Sequence, residues 1–258
     1  MKRPPVARRS PFRWDLVVKI GGSLGRRRSL RAAVERLASL ARHARILAVP
    51  GGGRFADLVR REQRRLGLDE ASAHRAALRA MDQYGLVIGG LCRAARPVES
   101  LDQARREARR GRLPVLLAAA TVDRARGLER SFRLTSDSIA AYLAGRERAP
   151  RLVLMKSCPG SRLPVRGRSA LVSLAERDIV DPLFPALAPE HCEIFIVNGR
   201  RAVAWERILP SLPGPQGPQS AARKSRSRSG SSGPLLPPRQ RAPRAPTRSG
   251  PRARTRER

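Results

Sequence analysis

The chain has 258 residues, a formal net charge of +33 and only 3% aromatic residues. Its length suits one sizeable domain plus an additional segment, the scarce aromatics argue against a base-stacking platform for single strands, and no apolar run reaches the length of a membrane span. Cys92, Cys158 and Cys192 are far apart, odd in number and outside any CxxC or Cys/His cluster, which speaks against a zinc module or a disulfide framework and fits a reducing cytoplasm.

Residues 1–12 read as a basic N-terminal extension. Arg8 and Arg9 ahead of Trp14–Ile20 do not make a signal peptide, since Lys19 interrupts the apolar run and no small-residue cleavage site follows. Leu16–Ile20 then reads as a buried strand, and Leu30–Leu40 as a helix with Leu30, Val34, Leu37 and Ala41 on one face. Arg45–Val49 reads as a second strand, ending at Pro50-Gly51-Gly52-Gly53. Helices are expected over Phe55–Leu66, from Glu70 to about Leu91, and over Ser100–Arg110. Leu113–Ala118 reads as a third strand, Thr135–Ala144 as a short helix, and Leu152–Met155 and Glu193–Val197 as further strands. Pro159–Arg168 is turn-like and receives no assignment. Strands alternating with helices predict a parallel sheet covered on both faces, within a domain spanning 13–210.

Residues 211–258 hold 12 basic residues and one acid among Pro, Gly, Ser and Gln, a composition expected to be disordered. They account for +11 of the charge, so the remainder is still strongly basic. Fifty arginines stand against four lysines. That ratio reads either as a coding preference for arginine at solvated positions or as attraction of anionic partners, nucleic acid among them.

Chemistry concentrates at the carboxyl ends of the predicted strands, where open parallel sheets bind ligands. The first strand ends Lys19-Ile20-Gly21-Gly22-Ser23 and the second Gly51-Gly52-Gly53. Glycines there let backbone N–H groups approach an anion, with a helix N-terminus behind them, although glycine also simply permits tight turns. Two such loops suggest two phosphate-bearing groups. A Walker-type loop is excluded, because no Gly-Lys-Ser/Thr occurs. Of the four lysines, Lys19 and Lys156 lie inside the fold, each at the end of a predicted strand, where a compact ammonium is a point charge that arginine does not mimic. Thr135 or Ser136 can cap the intervening helix, and Asp137 either complements its dipole or stands between the two lysines; both roles are compatible.

The set Val18-Lys19-Ile20-Gly21-Gly22-Ser23, Pro50-Gly51-Gly52-Gly53 and Thr135-Ser136-Asp137-Ser138 resembles the amino-acid-kinase superfamily, which includes acetylglutamate, aspartate and uridylate kinases. The resemblance spans residues 15–200. It implies an α/β/α sandwich of three layers with a mainly parallel sheet, ATP with Mg²⁺, and direct in-line transfer without a covalent enzyme intermediate. By resemblance Lys19 contacts the transferred phosphoryl and Asp137 organises the lysines, with Lys156 as the second cation. Gly21, Gly22, Ser23, Thr135 and Ser136 then serve the nucleotide phosphates, and Gly51, Gly52, Gly53 and His74 the acceptor. The family's later lysine beside a Gly-x-Met segment has no counterpart here.

Within the superfamily, residues 73–85, from Ala73-His74-Arg75 to Tyr84-Gly85, resemble the kinases of methanofuran biosynthesis, which phosphorylate (5-(aminomethyl)furan-3-yl)methyl phosphate to the diphosphate. His74, Leu78 and Met81 share a helix face, so His74 is either a packing histidine or an acceptor contact. The expected protein is a cytoplasmic, homo-oligomeric ATP-dependent kinase acting on a phosphorylated small molecule. The alternatives are a uridylate or amino-acid kinase, a non-catalytic nucleotide- or oxyanion-binding protein resembling the molybdenum storage proteins, and a nucleic-acid binder using its tail.

Overall fold

Strand β1 (Leu16–Ile20) is buried at every position, as an apolar run in the middle of a doubly covered sheet requires. The computed structural model describes residues 12–26, 29–157 and 164–199, all within the first of two units, Met1–Gly217 and Pro218–Arg258. The predicted tail, Cys158 and residues 1–11 of the N-terminal extension lie outside the described residues.

After β1 come a 3-10 turn (Gly22–Arg26), α1 (Ser29–Leu40), β2 (Ile46–Pro50), α2 (Gly53–Leu66), α3 (Glu70–Leu91), β3 (Ala95–Val98) and α4 (Leu101–Arg109). Then follow β4 (Leu113–Leu116), α5 (Ala119–Asp123), α6 (Ser136–Arg146), β5 (Arg151–Lys156), α7 (Arg168–Glu176), α8 (Phe184–Leu187) and β6 (Glu193–Asn198). Among the described residues the strands form one sheet in the order β3-β4-β2-β1-β5-β6, parallel throughout. The helices cover both faces, giving three layers.

Caps set the helix starts. The Asp69 carboxylate accepts from Ser72 N–H at 2.8 Å ahead of α3, and the Ser100 hydroxyl from Gln103 N–H at 3.3 Å ahead of α4. Strand β3 escaped the sequence reading because Ala-Arg-Pro-Val carries turn-type residues. It is an edge strand with Pro97 opposite Val115, and an edge tolerates a missing donor.

The period-2 alternation of the central strands sorts side chains into two cores. Leu16, Val18 and Ile20 of β1 pack with Leu30 and Leu37 of α1 and Ile88 of α3. Val17 enters the opposite core, with Leu152 and Leu154 of β5, Ile139 and Ala140 of α6, and Phe184 of α8. Helix α6 is buried over nearly its whole length, and its Ala140, Ala141 and Ala144 let it lie close against the sheet.

Candidate active site

The same alternation aims the two internal lysines. Val17 faces α6, so Lys19, two residues on, faces α6 as well. Leu152 and Leu154 face α6, so Lys156 follows them. β1 and β5 are neighbours in the sheet, with Ile20 beside Met155, so both ammonium groups arrive at one spot. There α6 begins: Thr135 is its N-cap, the Thr135 hydroxyl accepting from Asp137 N–H at 3.4 Å.

Asp137 is 3% exposed and stands between the lysines. Lys156 Nζ donates to its Oδ2 at 2.5 Å. Lys19 Nζ lies 3.0 Å from Oδ1, an ion pair whose alignment is not that of a hydrogen bond. Burial pushes the Lys19 ammonium below the ordinary lysine range, Asp137 opposes this, and Lys156 adds to it. Burial acting alone would raise the Asp137 carboxyl, but the Lys19 and Lys156 charges outweigh it and hold the group below the usual carboxylate range.

The glycine loops begin as extensions of the sheet, with Gly21 N–H donating to the Met155 carbonyl at 3.0 Å and Gly51 N–H to that of Ile20 at 2.9 Å. They then pack backbone against backbone. A Cβ on Gly22 would lie 2.3 Å from Gly53 N and 2.5 Å from its Cα, and one on Gly51 would lie 2.8 Å from Gly22 N. A Cβ on Gly21 would fall 2.3 Å from the Met155 carbonyl oxygen. Tight approach is therefore a real part of what these glycines do. Gly22→Ala is expected to cost roughly 1–3 kcal/mol of stability, because only backbone can give way, and a lowered chemical-denaturation midpoint checks it.

An open cleft of about 590 Å³ faces the cluster. Lys19, Lys156, Gly22 and Ser23 lie along it, as do Gly52, Gly53, Thr135 and Ser136, whereas Gly21 and Gly51 sit behind its wall. One side of α3 closes it with His74, Ala77, Leu78 and Met81, the i, i+3, i+4, i+7 stripe of a helix face, joined by Phe132 and Leu134. His74 is thus a packed histidine and a cleft residue at once. Its Nδ1 donates to the Ser131 carbonyl at 3.0 Å, so Nε2 is the ring nitrogen able to accept. Burial lowers its pKa, against the opposing pull of the Ser131 carbonyl.

Sequence reasoning missed several residues here. Arg60 and Arg177 also line the cleft, but arginines are too common in this chain to single out. Asp181, between α7 and α8, is 7% exposed and binds the start of α6. It accepts from Thr135 Oγ1 at 2.6 Å and from Ser138 N–H at 3.1 Å. No local pattern marks it; an isolated Asp before Pro182 has the look of a turn. The described residues contain no group of three His, Cys, Asp or Glu arranged to hold a metal ion, and no helix among them is long and apolar enough to cross a membrane.

Ammonium groups and glycine-rich turns gathered beyond the carboxyl ends of a parallel sheet suit a phosphorylated ligand. The chain belongs to the amino acid kinase family, whose model matches residues 16–160. It is similar to the [5-(aminomethyl)furan-3-yl]methyl phosphate kinase of Methanocaldococcus jannaschii, at 27% identity over 208 residues, 77% of this chain and 93% of the relative. Its fold matches the uridylate kinase of Archaeoglobus fulgidus with a TM-score of 0.59 and 17% identity, over 75% of this chain and 95% of that one. It also matches the UMP kinase of Ureaplasma parvum, with a TM-score of 0.57 and 13% identity, over 79% of this chain and 97% of the other.

Proposed function

We propose that this chain transfers the γ-phosphoryl of ATP to the phosphate of a small ring-bearing molecule, such as [5-(aminomethyl)furan-3-yl]methyl phosphate, giving a diphosphate and ADP. The observation that carries this reading is the Lys19–Asp137–Lys156 cluster. Two ammonium groups keep its one carboxylate ionised and occupied. Such a carboxylate is a poor proton acceptor, so the site suits an acceptor that needs no deprotonation. A phosphate dianion meets that condition. In the transfer, the bond from the γ-phosphorus to its bridging oxygen breaks, an acceptor phosphate oxygen forms the new bond, and no proton moves.

In this reading Lys19 lies against the phosphoryl group in transit and Lys156 neutralises charge on the nucleotide side. Asp137 keeps the two cations in register. Gly22, Ser23, Thr135 and Ser136 form the nucleotide-phosphate wall, with Gly21 behind it. Gly52 and Gly53 hold the acceptor phosphate, backed by Gly51, and the α3 stripe from His74 to Met81 receives the ring. The apolar character of Ala77, Leu78 and Met81 supports an acceptor with an apolar body. Magnesium fits as a companion of the nucleotide, held by its phosphates, since Asp137 is committed to lysines; it would supply further charge neutralisation.

The test is ADP production by the purified chain against a panel of acceptors. Turnover is expected with the aminomethylfuran phosphate and not with UMP, acetylglutamate or aspartate. Preference for UMP or an amino acid would replace the acceptor assignment, and ATP binding without turnover of any acceptor would overturn the enzymatic reading.

A further inference from the structure

We propose that Asp181 is a positioning residue for this site, fixing the first turn of α6 so that Asp137 stands between Lys19 and Lys156. Its carboxylate is buried and forms no ion pair among the described residues. The charge is met instead by hydrogen bonds. Oδ2 accepts from Thr135 N–H at 3.3 Å, Thr135 Oγ1 at 2.6 Å and Ser138 N–H at 3.1 Å. Oδ1 accepts from the Ser138 hydroxyl and from Leu183 N–H at 3.1 Å. Such bonds to an ionised acceptor are the strong ones, and the positive end of α6 adds to them.

Thr135 and Ser138 bracket Asp137 in the chain, so the tether holds it from both sides. The Thr135 hydroxyl gives its proton to Asp181, which directs its lone pair to Asp137 N–H. Asparagine cannot replace this acceptor, because its amide would set a donor against donors. The charge matters too. The groups acting on Lys19 are Asp137 from α6, Lys156 from β5 and Asp181 from the α7–α8 connection, and Asp181 favours the charged ammonium.

The proposal rests on the kinase reading only for its kinetic arm. The other arm needs no substrate: the chain has four lysines, so protein labelled with ¹⁵N-lysine gives four Nζ positions whose titration can be followed by NMR. Asp181→Asn and Thr135→Val are expected to make Lys19 titrate at lower pH than in the unaltered chain, while Thr135→Ser restores it. In turnover, Asp181→Asn and Thr135→Val should lose roughly tenfold or more in kcat, Asp181→Asn with a smaller change in KM for ATP because Asp181 does not line the cleft, and the alkaline limb should move toward neutral pH. Should Asp181→Asn not fold, the Thr135→Val and Thr135→Ser pair decides alone. A purely structural tether would lower the melting temperature of Thr135→Val, which keeps the Asp181 charge, and leave its Lys19 titration where it was, and that outcome overturns the proposal. If the chain turns over no acceptor at all, the kinase reading fails while the NMR arm still decides Asp181.

Discussion

Lys19→Ala is expected to lower turnover by roughly 10²-fold or more, the size of effect seen when a preorganised charge is removed from a phosphoryl-transfer or oxyanion site. The loss should fall mainly on kcat, because a cation at the transferring group counts most when charge is spreading over it. Lys19→Arg should also be poor. The position is 7% exposed and its ammonium stands 3.0 Å from Asp137, a point-charge contact that a planar guanidinium does not reproduce. Since burial sets the Lys19 ammonium below the ordinary lysine range, the alkaline loss of activity should begin below that range as well. Steady-state kinetics across pH check both statements, and wild-type-like rates for Lys19→Ala would remove the basis of the assignment.

Asp137→Ala should cost a similar factor in turnover, and the isosteric Asp137→Asn should show why. Without the carboxylate charge, two ammonium groups share one buried spot with no counterion between them. Breaking a buried ionic cluster in this way costs roughly 3–5 kcal/mol of stability. The pH dependence carries the sign. In the unaltered chain the Asp137 carboxyl is depressed, so its contribution is present above the usual carboxylate range and disappears as pH falls through the folded-state value. In the variant, Lys19 binds its proton more weakly when folded than when unfolded, so stability should recover as pH rises. Denaturant titrations at several pH values measure this. A variant equally stable at all of them would mean that the lysines are not electrostatically coupled through Asp137.

Much of this arrangement was legible in the amino-acid order. Strands β1, β2, β5 and β6 announce themselves as apolar runs, and α3 runs over the range its periodicity marks, Glu70–Leu91. Lys19 and Lys156 stood out because lysine is scarce, and Asp137 because it follows a Thr-Ser cap. What was hidden is long-range or short. Strand β3 and helices α5 and α8 are too brief to display a period, α7 buries only Leu171 and so shows no apolar stripe, and Pro97 disguises β3 further. Asp181 reaches Ser138 across 43 residues and Thr135 across 46, contacts that only the folded chain creates. The glycines were ambiguous for a different reason. Backbone approach to a ligand and backbone approach to another loop demand the same residue, and here Gly22 and Gly53 visibly do the second.

That contact between Gly22 and Gly53 has an implication for altering the protein. The loops that follow β1 and β2 form a single unit with no room between them, so a change in either propagates to both. The α3 face from His74 to Met81 meets the cleft with side chains, of which Ala77 is only partly buried, and α3 touches the seam one turn further on, through Tyr84 at Gly53. A redesign aimed at a different acceptor therefore has a natural handle in one helix stripe, where substitutions reshape the cleft wall and leave the glycine seam intact.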